Sequence, residues 1–135
     1  MSLDKVLAAC QAGIPECVAA GYVDMASGML LGVRTVDSHP SEVLDLVAAA
    51  TADMFQGRNI LEVEGMFKRL RGVNPEDNLR YFNEIVVFSS NLIHIFLRSR
   101  RFPNHAAVFV ARASANIGMV LAKSRAAMPQ VEEAV

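Results

Sequence analysis

The three histidines are the side chains best suited to acid–base or metal chemistry at neutral pH. His94 lies between Ile93 and Ile95, and no serine or cysteine nucleophile adjoins it. We therefore expect a hydrogen-bonded histidine of the core or of an interface rather than a catalytic base. His39 and His105 have no second ligand at short spacing, so capping or solvent contact is expected for them rather than metal coordination.

Other candidate chemistry is equally sparse. Asp24 and Glu84 could form a pair of carboxylates, but a turn aspartate and a glutamate at the start of a strand are the plainer assignments. Cys10 and Cys17 are seven residues apart without a histidine at ligand spacing, so both thiols are expected to be free. Neither of the glycine-rich phosphate-binding motifs G-x-x-x-x-G-K-[ST] and G-x-G-x-x-G occurs in the sequence. The sequence thus predicts a non-enzymatic protein with no catalytic residues, no cofactor and no metal.

Two short basic clusters remain as candidate contact residues. One contains Lys68, Arg69 and Arg71, and the other contains Arg100 and Arg101. An exposed helix end and a hairpin tip are the simplest interpretations, since short basic runs are common on surfaces. The alternative is contact with phosphate or with an acidic protein partner. We treat these five residues as a possible partner surface.

Length and composition limit the class of protein. The chain has 135 residues, which predicts a single domain over residues 1–135. Its net charge of −1 gives no reason to expect nucleic acid as a partner. No apolar run is long enough to insert into a membrane, and we expect a cytoplasmic location. The hydrophobic fraction of 53% is high for a soluble chain and indicates a well-covered sheet or an oligomer interface.

The segment Glu84 to Arg112 carries most of the β-branched and aromatic residues. Turn-forming residues divide it into three apolar runs, which predicts a meander of three strands over Glu84–Phe88, Leu92–Arg98 and Ala106–Arg112. The runs are continuously apolar rather than alternating, so the sheet should be covered by helices on both faces.

The rest of the chain supplies those helices and a second hairpin. We predict a helix over Ser2–Gln11, strands over Cys17–Val23 and Met29–Val36, and a helix that starts near Ser38–Pro40 and ends at Gly57. The small residues of the first strand indicate a closely packed helix. The connection 57–82 is predicted to be a lengthened and partly helical segment. Its helix could start near Asn59, with an inner face formed by Ile60, Val63, Phe67 and Leu70.

The last helix is predicted to begin at a Ser114 cap and to end at Pro129, which leaves a frayed tail over residues 130–135. Gly118, inside this helix, is expected to permit close packing on the sheet. The order of elements is then αββαβββα. This order defines an α/β protein of the α+β type, in which a five-stranded antiparallel sheet carries helices on both faces.

This order is similar to that of the roadblock (dynein light chain) family, and two local matches carry the resemblance. The first hairpin contains Ile14-Pro15 before Val18–Val23, with Asp24 and Gly28 at the turn. The final strand and helix contain Phe109-Val110-Ala111 and then Asn116-Ile117-Gly118-Met119, similar to the family's Asn-Leu-Gly-Leu-type helix start. The resemblance covers nearly the whole chain. It departs at Gly57–Phe82, which is longer than the usual roadblock connection.

The resemblance implies a profilin/roadblock-like fold and a homodimer in which the third strands pair and the central helices pack across the two-fold axis. The corresponding interface residues are Glu84, Ile85, Val86, Val87, Phe88, Val47, Met54 and Phe55. An edge as apolar as Glu84–Phe88, without lysine or proline, agrees with such pairing. The resemblance further implies a scaffold or regulatory module, with a small Ras-like GTPase or a larger assembly as partner. The alternative is a small-ligand sensor with a pocket near residues 57–82, beneath Ile60–Leu70.

Overall fold

A computed structural model describes residues 2–37, 41–74, 80 and 82–135, with the backbone alone at 41 and 42. Nine helices and strands occur in these ranges: α1 (Leu3–Gly13), β1 (Cys17–Asp24), β2 (Met29–Thr35), α2 (Ser41–Gln56), α3 (Arg58–Leu70), β3 (Glu84–Phe88), β4 (Leu92–Arg98), β5 (His105–Arg112) and α4 (Ile117–Glu133). The predicted order αββαβββα is confirmed, with two helices in the central position. The predicted helix start at Ser38–Pro40 lies outside the described residues.

The five strands form one antiparallel sheet in the order β2-β1-β5-β4-β3. The predicted hairpin of β1 and β2 and the predicted meander of β3, β4 and β5 are both present. Pairing of β5 with β1 joins them into one sheet. The turn between β1 and β2 follows its predicted chemistry. Asp24 accepts a hydrogen bond from the Ala26 amide at 3.1 Å, and Gly28 adopts a φ of 72°, which glycine tolerates without strain.

Helices cover both faces of the sheet, as the continuously apolar strands predict. On one face α1 and α4 bury side chains such as Leu7 and Val120 against Tyr22, Ile95 and Phe109. The core of the other face forms beneath α2, where the buried members are Val23, Met25, Ala48, Phe55, Phe96, Ala106 and Val108. Alternate residues of β1, β4 and β5 therefore contribute to two separate cores, which explains the absence of polar alternation.

The orientation of α3 corrects the predicted inner face. The helix begins at Arg58 after a Gly57 N-cap, within one residue of the predicted start near Asn59. Its buried residues are Glu64 and Lys68, whereas Phe67 is exposed and Leu70 has 80% of its surface accessible. Glu64 lies 4.0 Å from the guanidinium of Arg80. An ion pair thus occupies the inner side of α3, and its apolar side faces outward.

The C-terminal helix corrects three further predictions. Asn116, not Ser114, caps α4 by accepting a hydrogen bond from the Met119 amide at 3.1 Å. The helix continues through Pro129 to Glu133, and Val131 is fully buried, so residues 130–135 do not form a frayed tail. Gly118 lies in the first turn and is exposed, and a Cβ added at this position would meet the Asn116 side chain at 3.2 Å rather than the sheet. Close packing on the sheet does not explain this glycine.

Candidate protein-interaction site

Strand β3 is an edge of the sheet. Each of its five residues pairs with β4, from Glu84 opposite Leu97 to Phe88 opposite Ile93. Within the described part of the chain no strand pairs with its other side. Val86, Val87 and Phe88 are 37%, 39% and 66% exposed. The strand therefore presents free backbone hydrogen-bonding groups beside accessible apolar side chains, which is the arrangement that accepts another strand.

The two faces of β3 have different neighbours. Ile85 and Val87 lie opposite Phe96 and His94, on the face covered by α2. Glu84 lies on the α4 face, where its two carboxylate oxygens accept hydrogen bonds from Arg125 at 2.8 and 2.6 Å. These hydrogen bonds lower the pKa of Glu84 below its usual value. The ion pair joins the edge strand to α4 on one face and leaves Val87 accessible on the other.

The α2 residues of the predicted interface differ in their exposure. Val47 is 44% exposed and Met54 is half-buried, so both have surface available to a partner. Phe55 is fully buried against Phe96 in the core, and its assignment to the interface is wrong. Helical periodicity places Phe55 on an apolar face but does not show which part of that face the sheet occupies. Leu46, at 70% exposure, is an outward apolar residue that the sequence pattern did not single out.

Arg98 fixes the elements that surround this edge. Its Nε donates to the Phe82 carbonyl at 3.0 Å, and its terminal nitrogens donate to Pro103 at 2.7 Å and Phe55 at 3.2 Å. The guanidinium carbon lies 5.0 Å from the centre of the Phe55 ring. Burial lowers the pKa of Arg98, and the nearby charge of Glu64 opposes that shift. One buried cation thus joins the end of α2, the residues that lead into β3 and the loop before β5.

The basic clusters are only partly exposed. Lys68 retains 3% of its accessible surface, so its assignment to a partner surface is wrong. Arg69 and Arg71 are exposed at the end of α3, and Arg100 and Arg101 are exposed after β4. The helical period of 3.6 residues explains why Lys68 is buried and Arg69 is exposed. Lys68 lies one turn after Glu64 and points inward with it, whereas the next residue, Arg69, points outward.

A second polar network lies at the C-terminal end of α4. The Ser99 hydroxyl donates to the Glu132 carboxylate, which also accepts the Arg101 amide at 2.8 Å. Nearby, the Tyr22 hydroxyl lies 3.1 Å from His105 Nδ1. Burial, the largest cause, raises the pKa of Tyr22 to about 12. No sequence pattern predicts this network, because its members are brought together by the sheet from separate parts of the chain.

The remaining candidate residues do not converge on a catalytic site. His94 lies 3.4 Å from the Ser89 hydroxyl through the β3–β4 hairpin and stacks on Phe96. Burial lowers the pKa of this imidazole. A hydroxyl at this distance forms at most a weak hydrogen bond, and no described carboxylate orients the ring. Asp24 and Glu84 are on strands separated by β5 and β4, so they do not form a carboxylate pair.

The structure also shows the surroundings of the two cysteines and of the possible metal ligands. Cys10 and Cys17 are free and buried, and burial raises the pKa of both thiols. Among the described residues, histidines, cysteines and carboxylates form no group of three that could hold a metal ion. No helix in the described ranges has the length and apolar character needed to cross a membrane.

Among the described residues, cavities occur beside the sheet, and two of them have volumes suited to a ligand. The larger, about 760 Å³, is polar and lies between the Phe82–Glu84 segment, Arg98–Arg100 and the second half of α4. The smaller, about 410 Å³, is mostly apolar and lies between the first half of α2 and the sheet. Neither is lined by Ile60–Leu70, so neither matches the pocket predicted beneath that helix.

Solved structures share this architecture. A Roadblock/LC7 domain from Streptomyces avermitilis superposes with a TM-score of 0.66 at 14% identity, covering 98% of this chain and 97% of the other. An MglB with a tetrameric arrangement superposes with a TM-score of 0.69 at 18% identity, covering 98% of this chain and 90% of the other. MglC from Myxococcus xanthus gives 0.60 at 15% identity, covering 100% of both chains. No family model matches the sequence, and no curated protein matches it. The chain therefore has the roadblock fold, which confirms the resemblance at the level of fold.

Proposed function

We propose that this protein is a homodimeric, non-enzymatic scaffold or regulatory module whose two copies join through β3. The observation that carries the proposal is the unpaired apolar edge at Val86, Val87 and Phe88. Pairing two such edges would extend the sheet across a two-fold axis and satisfy the free backbone groups of both strands. The exposed Val47 and Leu46 of α2 lie on the same face as Val87 and would add apolar area to the contact.

Support for self-association also comes from the fold. A protein of the same fold is described as having a tetrameric arrangement. The opposite edge of the sheet, β2, is less suited to pairing because an irregularity interrupts its register with β1 between Tyr22 and Val23. Edges distorted in this way pair poorly with a second strand. Of the two edges, β3 is the one that supports the proposed dimer.

A charge placed on β3 tests the dimer. In Val87→Lys the new ammonium group would lie on the α2 face of the edge strand, close to the same charge on the second copy. We expect the variant to be monomeric by size-exclusion chromatography with light scattering, while the wild type is dimeric at micromolar concentration. If the separate chain is unstable, circular dichroism will instead show unfolding.

Two matched controls separate loss of the interface from a general effect of lysine. Leu31→Lys places the charge on the other edge strand at 43% exposure, and Val135→Lys places it at the C-terminus, also at 43%. Both should remain dimeric and folded. A Val87→Lys protein that stays folded and dimeric would contradict the proposal and would move the interface to α2 or to the outward apolar side of α3.

The proposed partner is a small Ras-like GTPase or a larger assembly that contains one. This part of the proposal rests on the family resemblance, together with the exposed cations Arg69, Arg71, Arg100 and Arg101. A dimer would present each cluster twice, related by the two-fold axis. Exposed clusters of one sign increase the rate at which an acidic partner associates. Catalysis by the chain itself is not part of the proposal, because its described candidate side chains do not converge on a catalytic site.

A further inference from the structure

The apolar cavity beneath α2 is a separate feature of the fold, and none of its described lining residues comes from β3. Its roof is formed by Val43, Leu44 and Val47 of α2. The floor comes from the other four strands and includes Ala19 and Gly21 of β1, Val33 of β2, His94 of β4, and Val108 and Val110 of β5. We call this space the α2 cavity. Its volume of about 410 Å³ falls within the range of small-molecule sites in proteins.

The cavity exists because the helix and the floor do not fill the space between them. From its middle to its C-terminal end, α2 is anchored by Ala48, Thr51 and Phe55, all fully buried. The first half contributes Val43 and Val47, which remain 46% and 44% exposed. The sheet therefore holds one end of the helix closely, while the other end stands away from the floor.

The small residues of β1 explain the depth of the floor. The sequence suggests that Ala19, Ala20 and Gly21 admit a closely packed helix, and Ala20 is fully buried in the core that α1 and α4 form with the sheet. The three atoms nearest to an added Cβ at Gly21 instead belong to β2, at 3.6 to 3.9 Å, and none belongs to α2. A side chain could therefore be accommodated where glycine stands. On the α2 face, Ala19 and Gly21 therefore leave a space instead of bringing a helix close.

Polar groups gather at one end of the cavity. Asp37 and Arg112 both line it, as does Thr35. Hydrogen bonds from the Val36 amide to Val18 and from the Arg112 amide to Glu16 place the ends of β2 and β5 on either side of the start of β1. The rest of the lining is apolar apart from His94, whose pKa is lowered by burial. A site with a long apolar wall and a few polar groups at one end suits an amphiphilic molecule.

We propose that the α2 cavity binds an unbranched aliphatic molecule with an uncharged polar end group, its chain between α2 and the sheet and its end group beside Asp37 and Arg112. The charges of those two side chains select the end group. A carboxylate is attracted by Arg112 but repelled by Asp37, and an ammonium group is attracted by Asp37 but repelled by Arg112, so neither ion gains a net attraction that offsets its desolvation. A hydroxyl or amide can donate to the aspartate and accept from the arginine.

The proposal can be tested with decanol as the probe and methyl-labelled protein observed by NMR. We expect saturable shifts of the methyl groups of Val33, Val47 and Val110, and a higher melting temperature with decanol present. Decanoate and decylamine, which carry the same chain with a charged end, should bind about tenfold more weakly, a difference of roughly 1.4 kcal/mol. Preferential binding of either charged molecule would overturn the assignment of the end group.

Variants that fill the cavity provide the decisive comparison. Ala19→Leu should fill the floor, keep or raise the melting temperature without ligand, and lose decanol binding. Ala126→Leu, an identical change on an exposed part of α4, should bind as the wild type does. Val33→Phe fills the same space from β2 and should also abolish binding, so the result does not depend on one variant folding.

Two results would refute the site. One is a wild type that shows no saturable binding. The other is unchanged binding by the folded cavity-filled variants, for example with shifts on the outward residues Leu61 and Phe67 of α3. The site and the proposed dimer can fail separately, since Ala19→Leu and Val33→Phe lie on β1 and β2, away from β3, and should lose decanol binding while remaining dimeric.

Discussion

A buried arginine is the residue on which the geometry of the β3 region most depends. Arg98 hydrogen-bonds three carbonyl groups, from Phe55, Phe82 and Pro103, which belong to segments far apart in the sequence. Its charge is held in a place where desolvation disfavours ionisation, and burial accordingly lowers its pKa. Removing it would leave the carbonyls without their donor, which costs more than the hydrogen bonds contribute net.

Arg98→Met keeps the aliphatic stem but removes all three donors, so we expect the free energy of unfolding to fall by about 3 kcal/mol. Urea denaturation followed by circular dichroism measures the change. Arg100→Met, two residues later and exposed, is the matched control and should fall by less than about 0.5 kcal/mol. Equal denaturation midpoints for the two variants would contradict a stabilising role for Arg98.

Tyr22 predicts a dependence of stability on alkaline pH. Its pKa is raised to about 12 in the folded chain, chiefly by burial, whereas the unfolded value is about 10. The folded state therefore favours the neutral phenol. The contribution of Tyr22 to the free energy of unfolding is fully present below pH 10. It is lost as the pH rises through 12, by about 2 to 3 kcal/mol.

Tyr22→Phe has no phenol to ionise, so its unfolding free energy should decrease less steeply between pH 10 and 12 than that of the wild type. Chemical denaturation at a series of pH values, with the two proteins side by side, provides the comparison. Because both contain the same lysines, arginines and cysteines, the difference between the slopes isolates Tyr22. Parallel curves would show that Tyr22 does not titrate differently in the two states.

Among the elements, α4 is notable because its last turn is a structural part of the fold. Pro129 removes one hydrogen bond of the helix, but the next turn is held by buried Val131 and by Glu132, which binds the loop after β4. Tertiary contacts thus outweigh the tendency of proline to end a helix. The same helix also reaches the edge strand through Arg125 and Glu84.

Val131→Ala should destabilise the protein by about 2 kcal/mol, because it leaves a cavity between α4 and the sheet. Val135→Ala makes the same change four residues later at 43% exposure and should have almost no effect. Thermal and urea unfolding of the pair measure the difference. Indistinguishable stabilities would mean that the end of α4 detaches in solution.

For the molecule as a whole, the proposed partner should recognise charge on the exposed surface. If an acidic GTPase binds through the basic cluster after β4, the double variant Arg100→Ala/Arg101→Ala should associate about tenfold more slowly at low salt. Arg34→Ala removes an exposed cation from β2 and should not change the rate. Biolayer interferometry with purified Ras-like GTPases, in the GDP form and with a GTP analogue, provides the measurement.

The salt dependence of that association supplies a further check, since a rate governed by exposed charges falls as ionic strength rises. Equal rates for the double variant and Arg34→Ala would remove this cluster from the partner surface. Failure of every GTPase to bind the wild-type protein would contradict the proposed partner, while the homodimer would still be tested separately by Val87→Lys.

The order of the elements and the covered sheet follow from the sequence alone. Runs such as Ile85–Phe88 and Leu92–Leu97 are short, rich in β-branched and aromatic residues and bounded by turn formers, which favours strands. The turn at Asp24–Gly28 is also a local matter, because it depends on one side-chain acceptor and on one positive φ. Features of this kind can be predicted because all the interactions that decide them lie within a few residues.

Which side of each helix is buried depends instead on tertiary packing. Periodicity shows that α3 has an apolar face, but the ion pair of Glu64 with Arg80 takes the inner position. For α2 it groups Phe55 with Val47, although the sheet buries the first and leaves the second accessible. The Arg98 contacts, the Glu132 network and the α2 cavity likewise join residues from distant parts of the chain. Their positions depend on how the sheet and helices pack together, and no local pattern of residue types contains that information.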